Sequence, residues 1–560
     1  QKIAFFPGTF DPFSLSHKAI AREIRDMGCE VYLALDEFSW SKKTQPRLQR
    51  RKIMSMSVSD EENIYIFPDD IPVNIANPSD LARLKKLFEG RELYFTAGSD
   101  VVENASCYRM PPCENSIHSL NHIIFKRTSD ERKDGVSGSS HYPVTGEILN
   151  LHLEEYFEDI SSTRIRENID SNRDISNLID PVAQNYIFEN GLYMREPAYK
   201  HILQSQDILL ESFFSSSSAS FTYLSDLEND LLQQGYNMDT LRQCLSDPGI
   251  RMLSIRDGKF DNKVTALAAV KKVDSIDLLH TFGDQDIAAY IRGQSAGSIA
   301  VIQGLWTAKR STITNLEQIA LIEILSELLA RDCTYVVYHP CDQAGLSQET
   351  LAVVEKQGFI NIAPSYGRPI YAADMRSPVI IFKNMDTIIK HPLNKRRAVL
   401  NAVEKAHNRL LSMLTQIYPG ELILSYNSNI MYHKIIQLIC RINGIDSVPY
   451  KEKSYGKYMA VPFGKVLEGS AVPNTVTKAL HTEKYFNRSV TSFTIEEKSF
   501  YSTLENQIRT IQSFNRPVIL VDDLLHKGYR MNEIDPILKA NNVNVVDTVV
   551  GVQTGRGRDL

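Results

Sequence analysis

A strand that ends in a tight turn and runs straight into a helix is the feature that most limits how this chain can fold. Lys2 to Phe6 is a short apolar strand, Gly8 and Pro12 shape the turn, and a helix starts near His17. The stretch reads Gly8-Thr9-Phe10-Asp11-Pro12-Phe13-Ser14-Leu15-Ser16-His17. A helix start presents unpaired backbone N–H groups at its positive end, so a phosphate belongs there. Ile20, Ile24 and Met27 follow at helical spacing, Gly28 stops the helix, and Val31 to Leu35 reads as the next strand. The unit is a right-handed βαβ crossover, and ligands of such sheets sit at the carboxyl ends of the strands.

The pattern continues through residues 1–197, with strands at Ile64 to Phe67, Leu93 to Ala97 and Ile123 to Phe125 and a helix from Ser79 to Phe88 closed by Gly90. This is a doubly wound parallel α/β sheet. At 560 residues the chain has room for three or four domains. A net charge of −6 weighs against a general nucleic-acid or anionic-membrane binder. No apolar run approaches the roughly eighteen residues of a membrane span, and the expected location is cytoplasmic. Seven cysteines without C-x-x-C pairs read as reduced thiols and offer no metal framework. The chain opens on a strand without an initiator Met, so a piece of a longer protein is expected.

Residue by residue, Gly8 to His17 resembles the G-x-F-D-P-x-[TH]-x-G-H signature of the nucleotidyltransferases. Ile160-Ser161-Ser162-Thr163-Arg164-Ile165-Arg166 resembles that family's second motif, I-S-S-T-x-I-R. Two unlinked motifs in the right order make a specific signal. Within the superfamily the details resemble the nicotinate or nicotinamide mononucleotide adenylyltransferases. Gly98-Ser99-Asp100 matches their G-x-D loop, and Tyr108 falls where many carry an aromatic that stacks on the pyridine ring. Arg51-Lys52-Ile53-Met54 resembles their R-x-x-M helix, and Tyr186 to Tyr193 their Y-I-x-x-x-G-L-Y end. Phosphopantetheine adenylyltransferases usually lack that tail. Cytidylyltransferases usually read R-T-E-G-I-S-T-T, where this chain has Glu158 and Asp159 before Ile160. Two positions depart from the signature: Ser14 replaces its first His or Thr, and Ser16 its Gly.

The resemblance implies a phosphate monoester attacking the α-phosphorus of ATP, with positioning and charge stabilisation in place of a general base. It assigns His17, Ser14, Lys43 and Arg166 to catalysis. Gly8, Thr9, Phe10, His17, Ile160, Ser161, Ser162, Thr163 and Arg166 would bind ATP, and Gly98, Asp100 and Tyr108 the acceptor. Mg²⁺ would shield the leaving pyrophosphate. Lys42, Lys43, Arg47, Arg50 and Arg51 otherwise read as a solvated face.

Downstream, strands at Arg251 to Ile255 and Val264 to Val270 flank Asp257-Gly258, a hairpin signal. Strands at Ile299 to Leu305 and Tyr335 to Tyr338 bracket a helix from Ile319 to Ala330, and a second helix ends at Gly358-Phe359. Over 198–375 this order resembles an α+β, acyl-CoA-dependent N-acetyltransferase. The loop that binds the CoA pyrophosphate in that family corresponds to Lys309 to Leu316, where Arg310, Ser311 and Thr312 could meet phosphate. It holds no glycine, which weighs against acetyl-CoA. Residues 376–560 open with a helical connector, Asn394 to Ile417, and continue with strands at Leu422 to Ser425 and Val518 to Val521. Asp522-Asp523-Leu524-Leu525-His526-Lys527-Gly528-Tyr529-Arg530 after the last strand resembles the 5-phosphoribosyl-1-diphosphate motif of type I phosphoribosyltransferases. That resemblance implies a diphosphate site of Asp522, Asp523, Lys527, Gly528 and Arg530, with cations where the family has threonines.

The expectation is therefore a multidomain α/β enzyme that adenylylates nicotinate or nicotinamide mononucleotide in NAD biosynthesis or salvage, with small nucleotides as its partners. The alternatives are adenylyl or cytidylyl transfer to another phosphate-bearing acceptor, and a non-catalytic nucleotide-sensing assembly protein.

Overall fold

A computed structural model describes residues 1–38, 44–126, 143–152, 155–158, 160–171, 173–193, 201–202, 208–216, 219–258, 263–309, 311–383, 393, 396–447, 456–464 and 470–554. The chain forms two compact units, one of residues 1–203 with 432–560 and one of residues 204–431.

The N-terminal sheet comprises β1 (Lys2–Gly8), β2 (Cys29–Leu35), β3 (Ile64–Ile66), β4 (Glu92–Gly98), β5 (Asn121–Lys126) and β6 (Ile148–His152), in the order β3-β2-β1-β4-β5-β6. Every neighbouring pair is parallel. Such a sheet is covered on both faces, which is why β1 reads as an unbroken apolar run. Ala4 and Phe6 enter one core cluster, with Ile20, Ile24 and Ile165, while Ile3 and Phe5 enter the other, with Leu81 and Phe95. The strand order reverses between β1 and β4, and their carboxyl ends carry Gly8 and Gly98. That crevice is where ligands of doubly wound sheets bind. Three helices matter for the site: α1 (Leu15–Asp26), α2 (Arg47–Ser57) and the helix Ser162–Asp170.

In the same unit, Met459–Pro462, Val518–Leu525 and Val545–Gln553 form a three-stranded parallel sheet. Ile508 of the helix Leu504–Gln512 and Ile534 and Leu538 of the helix Tyr529–Ala540 pack on Val461, Val518 and Leu520. The strand expected to end at Val521 runs on to Leu525, so Asp522 and Asp523 lie inside it.

The second unit holds an eight-stranded mixed sheet. Its hairpin pairs Ile250–Asp257 with Lys263–Val273 antiparallel, while Ser298–Thr307 and Cys333–Tyr338 run parallel around the helix Leu316–Ala330. The strand Glu421–Asn427, read from sequence as part of the C-terminal region, pairs instead with Tyr371–Lys383 of this sheet. Its apolar residues Leu422, Ile423 and Leu424 are all buried.

Candidate functional site

The turn after β1 is built around a close approach. Phe10 folds back with a positive φ of 43°, and a Cβ on Gly8 would lie 2.5 Å from its ring. Only glycine clears that contact. Phe10 and Phe13 pack against each other and against the His17 imidazole, with ring centroids 5.0–5.4 Å apart.

Ser14 is the N-cap of α1, and its side chain accepts from the His17 N–H at 3.3 Å. In return the Ser14 backbone N–H donates to His17 Nδ1 at 3.0 Å, closing a reciprocal cap. A backbone N–H can only donate, so Nδ1 is the acceptor and the neutral ring carries its proton on Nε2. The first turn of α1 holds no acidic residue, which leaves the positive end of the helix uncompensated. Ser16, where the signature has glycine, is buried within that first turn.

The structure brings the second motif onto this loop. Ser161 caps the helix Ser162–Asp170 by accepting from the Arg164 N–H at 3.1 Å, and Ile160 is buried beside it. Ser162 Oγ donates to the Pro12 carbonyl at 2.8 Å, and Arg166 Nη1 to the Asp11 carbonyl at 2.6 Å. The other terminal nitrogen of Arg166 donates to Thr163 Oγ1 at 3.1 Å. Two helix N-termini thus converge on one turn, neither with an acid in its first turn.

A buried network that sequence reading missed supports the turn from below. Arg50 is 1% exposed; it donates to the Thr9 carbonyl at 2.7 Å and the Gln45 carbonyl at 2.9 Å, and pairs with Glu37. Arg47, also buried, pairs with Asp69 at 3.1 Å. The solvated face expected for these arginines is therefore corrected for both. Arg50 precedes Ile53 and Met54 by three and four residues, so it shares their inward face of α2, a periodicity that could have revealed it. Asp11 is buried too, its Oδ1 accepting from the Gln45 N–H at 3.1 Å and the Tyr193 hydroxyl at 2.8 Å. Burial pushes the Asp11 carboxyl up, against the opposing pull of Arg50. Lys43 lies outside the described residues.

Of the expected acceptor residues, Gly98 ends β4 and caps the short helix Ser99–Asn104, on which Asp100 is exposed. Tyr108 is placed differently: it is 4% exposed within an apolar cluster, and its hydroxyl meets His122 Nε2 at 2.9 Å. The ring offers no open face for a pyridine to stack on.

In the C-terminal sheet Asp522 and Asp523 are buried, and a Cβ on Gly464 would lie 2.4 Å from an oxygen of each. Burial, aided by the neighbouring Asp523 carboxylate, pushes the Asp522 carboxyl up to about 7. Gly528 is buried with a φ of 67°, Lys527 is exposed, and Arg530 is half-buried with no partner for Nε among the described residues. In the second unit, Ser311 lines a cavity of about 340 Å³ with Lys309, Asn315 and Lys356. Thr312 Oγ1 donates to Asp257 Oδ2 at 2.5 Å, and Arg310 lies outside the described residues.

The family model described as cytidylyltransferase-like matches residues 5–168. A probable nicotinate-nucleotide adenylyltransferase of Flavobacterium johnsoniae is 24% identical over 202 residues, 35% of this chain and 100% of that protein. One of Borrelia hermsii is 25% identical over 207 residues, 35% of this chain and 99% of that protein. The Plasmodium falciparum nicotinic acid mononucleotide adenylyltransferase complexed with APC is 19% identical with a TM-score of 0.28, covering 34% of this chain and 97% of that one. The N-terminal part of the chain is a nucleotidyltransferase-like domain with nicotinate-nucleotide adenylyltransferase homologues, and at that level a transferase.

Proposed function

We propose that the N-terminal domain transfers AMP from ATP to nicotinate or nicotinamide mononucleotide in NAD biosynthesis or salvage. A phosphate oxygen of the mononucleotide attacks the α-phosphorus, the bond to the β-phosphate bridge breaks, and pyrophosphate leaves. The observation that carries the reading is the reciprocal cap between Ser14 and His17. It places a neutral imidazole with its proton on Nε2 in the first turn of α1, where negative charge is stabilised. A donor is what the reaction needs, because the acceptor phosphate is already anionic near neutral pH and its attack requires no base. Ser162 and Arg166, bonded to the same turn, complete a cradle for the triphosphate.

Among the described residues no cluster of three or more His, Cys, Asp or Glu side chains is arranged to hold a metal ion. Mg²⁺ carried on the triphosphate would supply charge shielding for the leaving pyrophosphate. Among the described residues no helix is long and apolar enough to cross a membrane. The names of the similar proteins favour nicotinate over nicotinamide.

Pyrophosphate release from MgATP, measured with the full chain and a panel of phosphate-bearing acceptors, tests the proposal. Release with a pyridine mononucleotide and none with phosphopantetheine or sugar phosphates is the expected result. No release with any acceptor would favour a nucleotide-sensing assembly protein. A second reading, a phosphoribosyl diphosphate site at Asp522 and Asp523, is supported by the Asp522 Oδ1, which is buried with no hydrogen-bond partner among the described residues.

A further inference from the structure

The nucleotide loop is not held by its own domain alone. Lys478 belongs to the C-terminal part of the same compact unit, where its backbone N–H donates to the Ala460 carbonyl at 3.2 Å. Its ammonium reaches into the N-terminal domain and donates twice to one residue, to the Glu37 carbonyl at 2.5 Å and to Glu37 Oε2 at 2.9 Å. Glu37 follows the end of β2, and from it two paths lead to the phosphate turn. Along the chain, the Asp36 N–H donates to the Gly8 carbonyl at 2.8 Å. Through side chains, Glu37 Oε1 pairs with Arg50, whose Nη1 donates to the Thr9 carbonyl at 2.7 Å. Both paths end on consecutive residues of the turn expected to wrap the triphosphate.

The chemistry of the contact is specific. Glu37 is enclosed, and burial alone would raise its carboxyl; Lys478, with Arg50 and Arg47, overcomes this and holds it well below the usual carboxylate range. Lys478 and Glu37 have side chains only 20% and 17% exposed, so water screens the pair weakly. Other contacts also join the two parts. Asn77 Nδ2 donates to the Ser513 carbonyl at 2.8 Å, the Leu48 N–H to the Phe500 carbonyl at 3.0 Å, and the Phe38 and Phe514 rings lie 5.4 Å apart.

We propose that Lys478 is a positioning residue for adenylyl transfer, through which the C-terminal part of the chain sets the nucleotide loop by way of Glu37 and Arg50. The inference rests on reading Gly8 to His17 as the nucleotide loop. It is tested by calorimetric titration of MgATP into the full chain, with steady-state pyrophosphate release and thermal melting in parallel. Lys478→Met should weaken MgATP binding and raise KM for ATP by roughly tenfold, the order expected for a lost charge-assisted hydrogen bond, while kcat changes by less than about twofold. Lys478→Arg keeps the charge and the donors, and should restore wild-type affinity. Wild-type affinity in Lys478→Met overturns the proposal. So does a Lys478→Arg chain that is as weak as Lys478→Met, which would make the position one of shape alone. Should Lys478→Met not fold, Glu37→Gln removes the shared carboxylate charge with little change of shape and should show the same weakening; normal affinity there overturns the proposal. A wild-type chain that binds MgATP and makes no dinucleotide overturns the acceptor reading and leaves this test standing on affinity. One that binds no MgATP overturns both.

Discussion

His17 is held by one ring nitrogen so that the other acts as a donor. Because Nδ1 accepts from the Ser14 N–H, the ring is fixed as the Nε2–H tautomer, suited to a phosphate oxygen gaining charge and unsuited to the role of base. His17→Ala should therefore lower kcat by roughly 10²–10³, more than it raises KM for ATP, as steady-state pyrophosphate release would show. An unchanged kcat would remove the residue from the reaction. Tyr108 supports a different expectation from the one its position in the chain suggests. His122 Nδ1 meets the Leu120 carbonyl at 2.8 Å and must donate, so His122 Nε2 accepts the Tyr108 hydroxyl, and burial holds this imidazole down at about 4. Tyr108→Phe would strand that nitrogen in an apolar cluster at a cost of about 1–3 kcal/mol. A lowered Tm with an unchanged KM for the mononucleotide is the expected outcome. A raised KM at unchanged Tm would return the ring to the acceptor site.

At the scale of elements, apolar periodicity made β1, β2, β4 and β5 legible, because a parallel sheet buries both faces of each strand. β6 escaped notice because only Leu151 of Ile148–His152 is buried, and an edge strand half open to solvent carries little apolar signal. The local geometry of the two motifs proposed to bind phosphate was legible because glycine at a close approach and hydroxyls at helix N-caps are local requirements. The Glu37, Arg50 and Lys478 network was not, since its partners lie up to 441 residues apart in the chain. The strand Val518–Leu525 shows a third limit. Carboxylates normally end a buried strand, yet Asp522 and Asp523 continue this one under cover. That arrangement carries a testable strain. A carboxyl raised in the folded state binds its proton more tightly there than in the unfolded chain. The folded state is therefore favoured while the group is protonated, and stability falls as pH rises from the ordinary aspartate value of about 4 towards 7. Asp522→Asn has no such proton to lose. Melts of the full chain at about pH 5 and about pH 8 should show the variant gaining on the wild type by on the order of 1 kcal/mol at the higher pH. Parallel pH profiles for the two chains would show that Asp522 titrates normally.

At the scale of the whole molecule, the nucleotidyltransferase-like domain and the acidic strand share one compact unit, although 228 residues of a second unit (204–431) separate them in the chain. The proposed chemistry gives that arrangement a use. Transfer of a phosphoribosyl group to a pyridine base yields a mononucleotide, the acceptor that the N-terminal domain is proposed to adenylylate, so the two sites would serve successive steps. Gly464 lies against both carboxylates, where a Cβ would fill the space, and Arg530 and Lys527 follow the strand with the charge a diphosphate requires. Calorimetric titration of phosphoribosyl diphosphate with Mg²⁺ into the full chain should then give heat. Asp522→Asn combined with Asp523→Asn should abolish it, since neither amide offers the anionic oxygens that hold a Mg²⁺-complexed ligand. Adenylylation of added mononucleotide should survive in the same variant, because the turn proposed to bind the phosphates, with Gly8, Ser14, His17 and Arg166, is built on the N-terminal sheet, whereas Asp522 and Asp523 lie in the separate three-stranded sheet. Heat from the wild type that persists in the double variant would place the diphosphate elsewhere. No heat from the wild type would reduce the C-terminal part of the chain to a scaffold, whose remaining contribution to the chemistry would be the lysine that reaches Glu37.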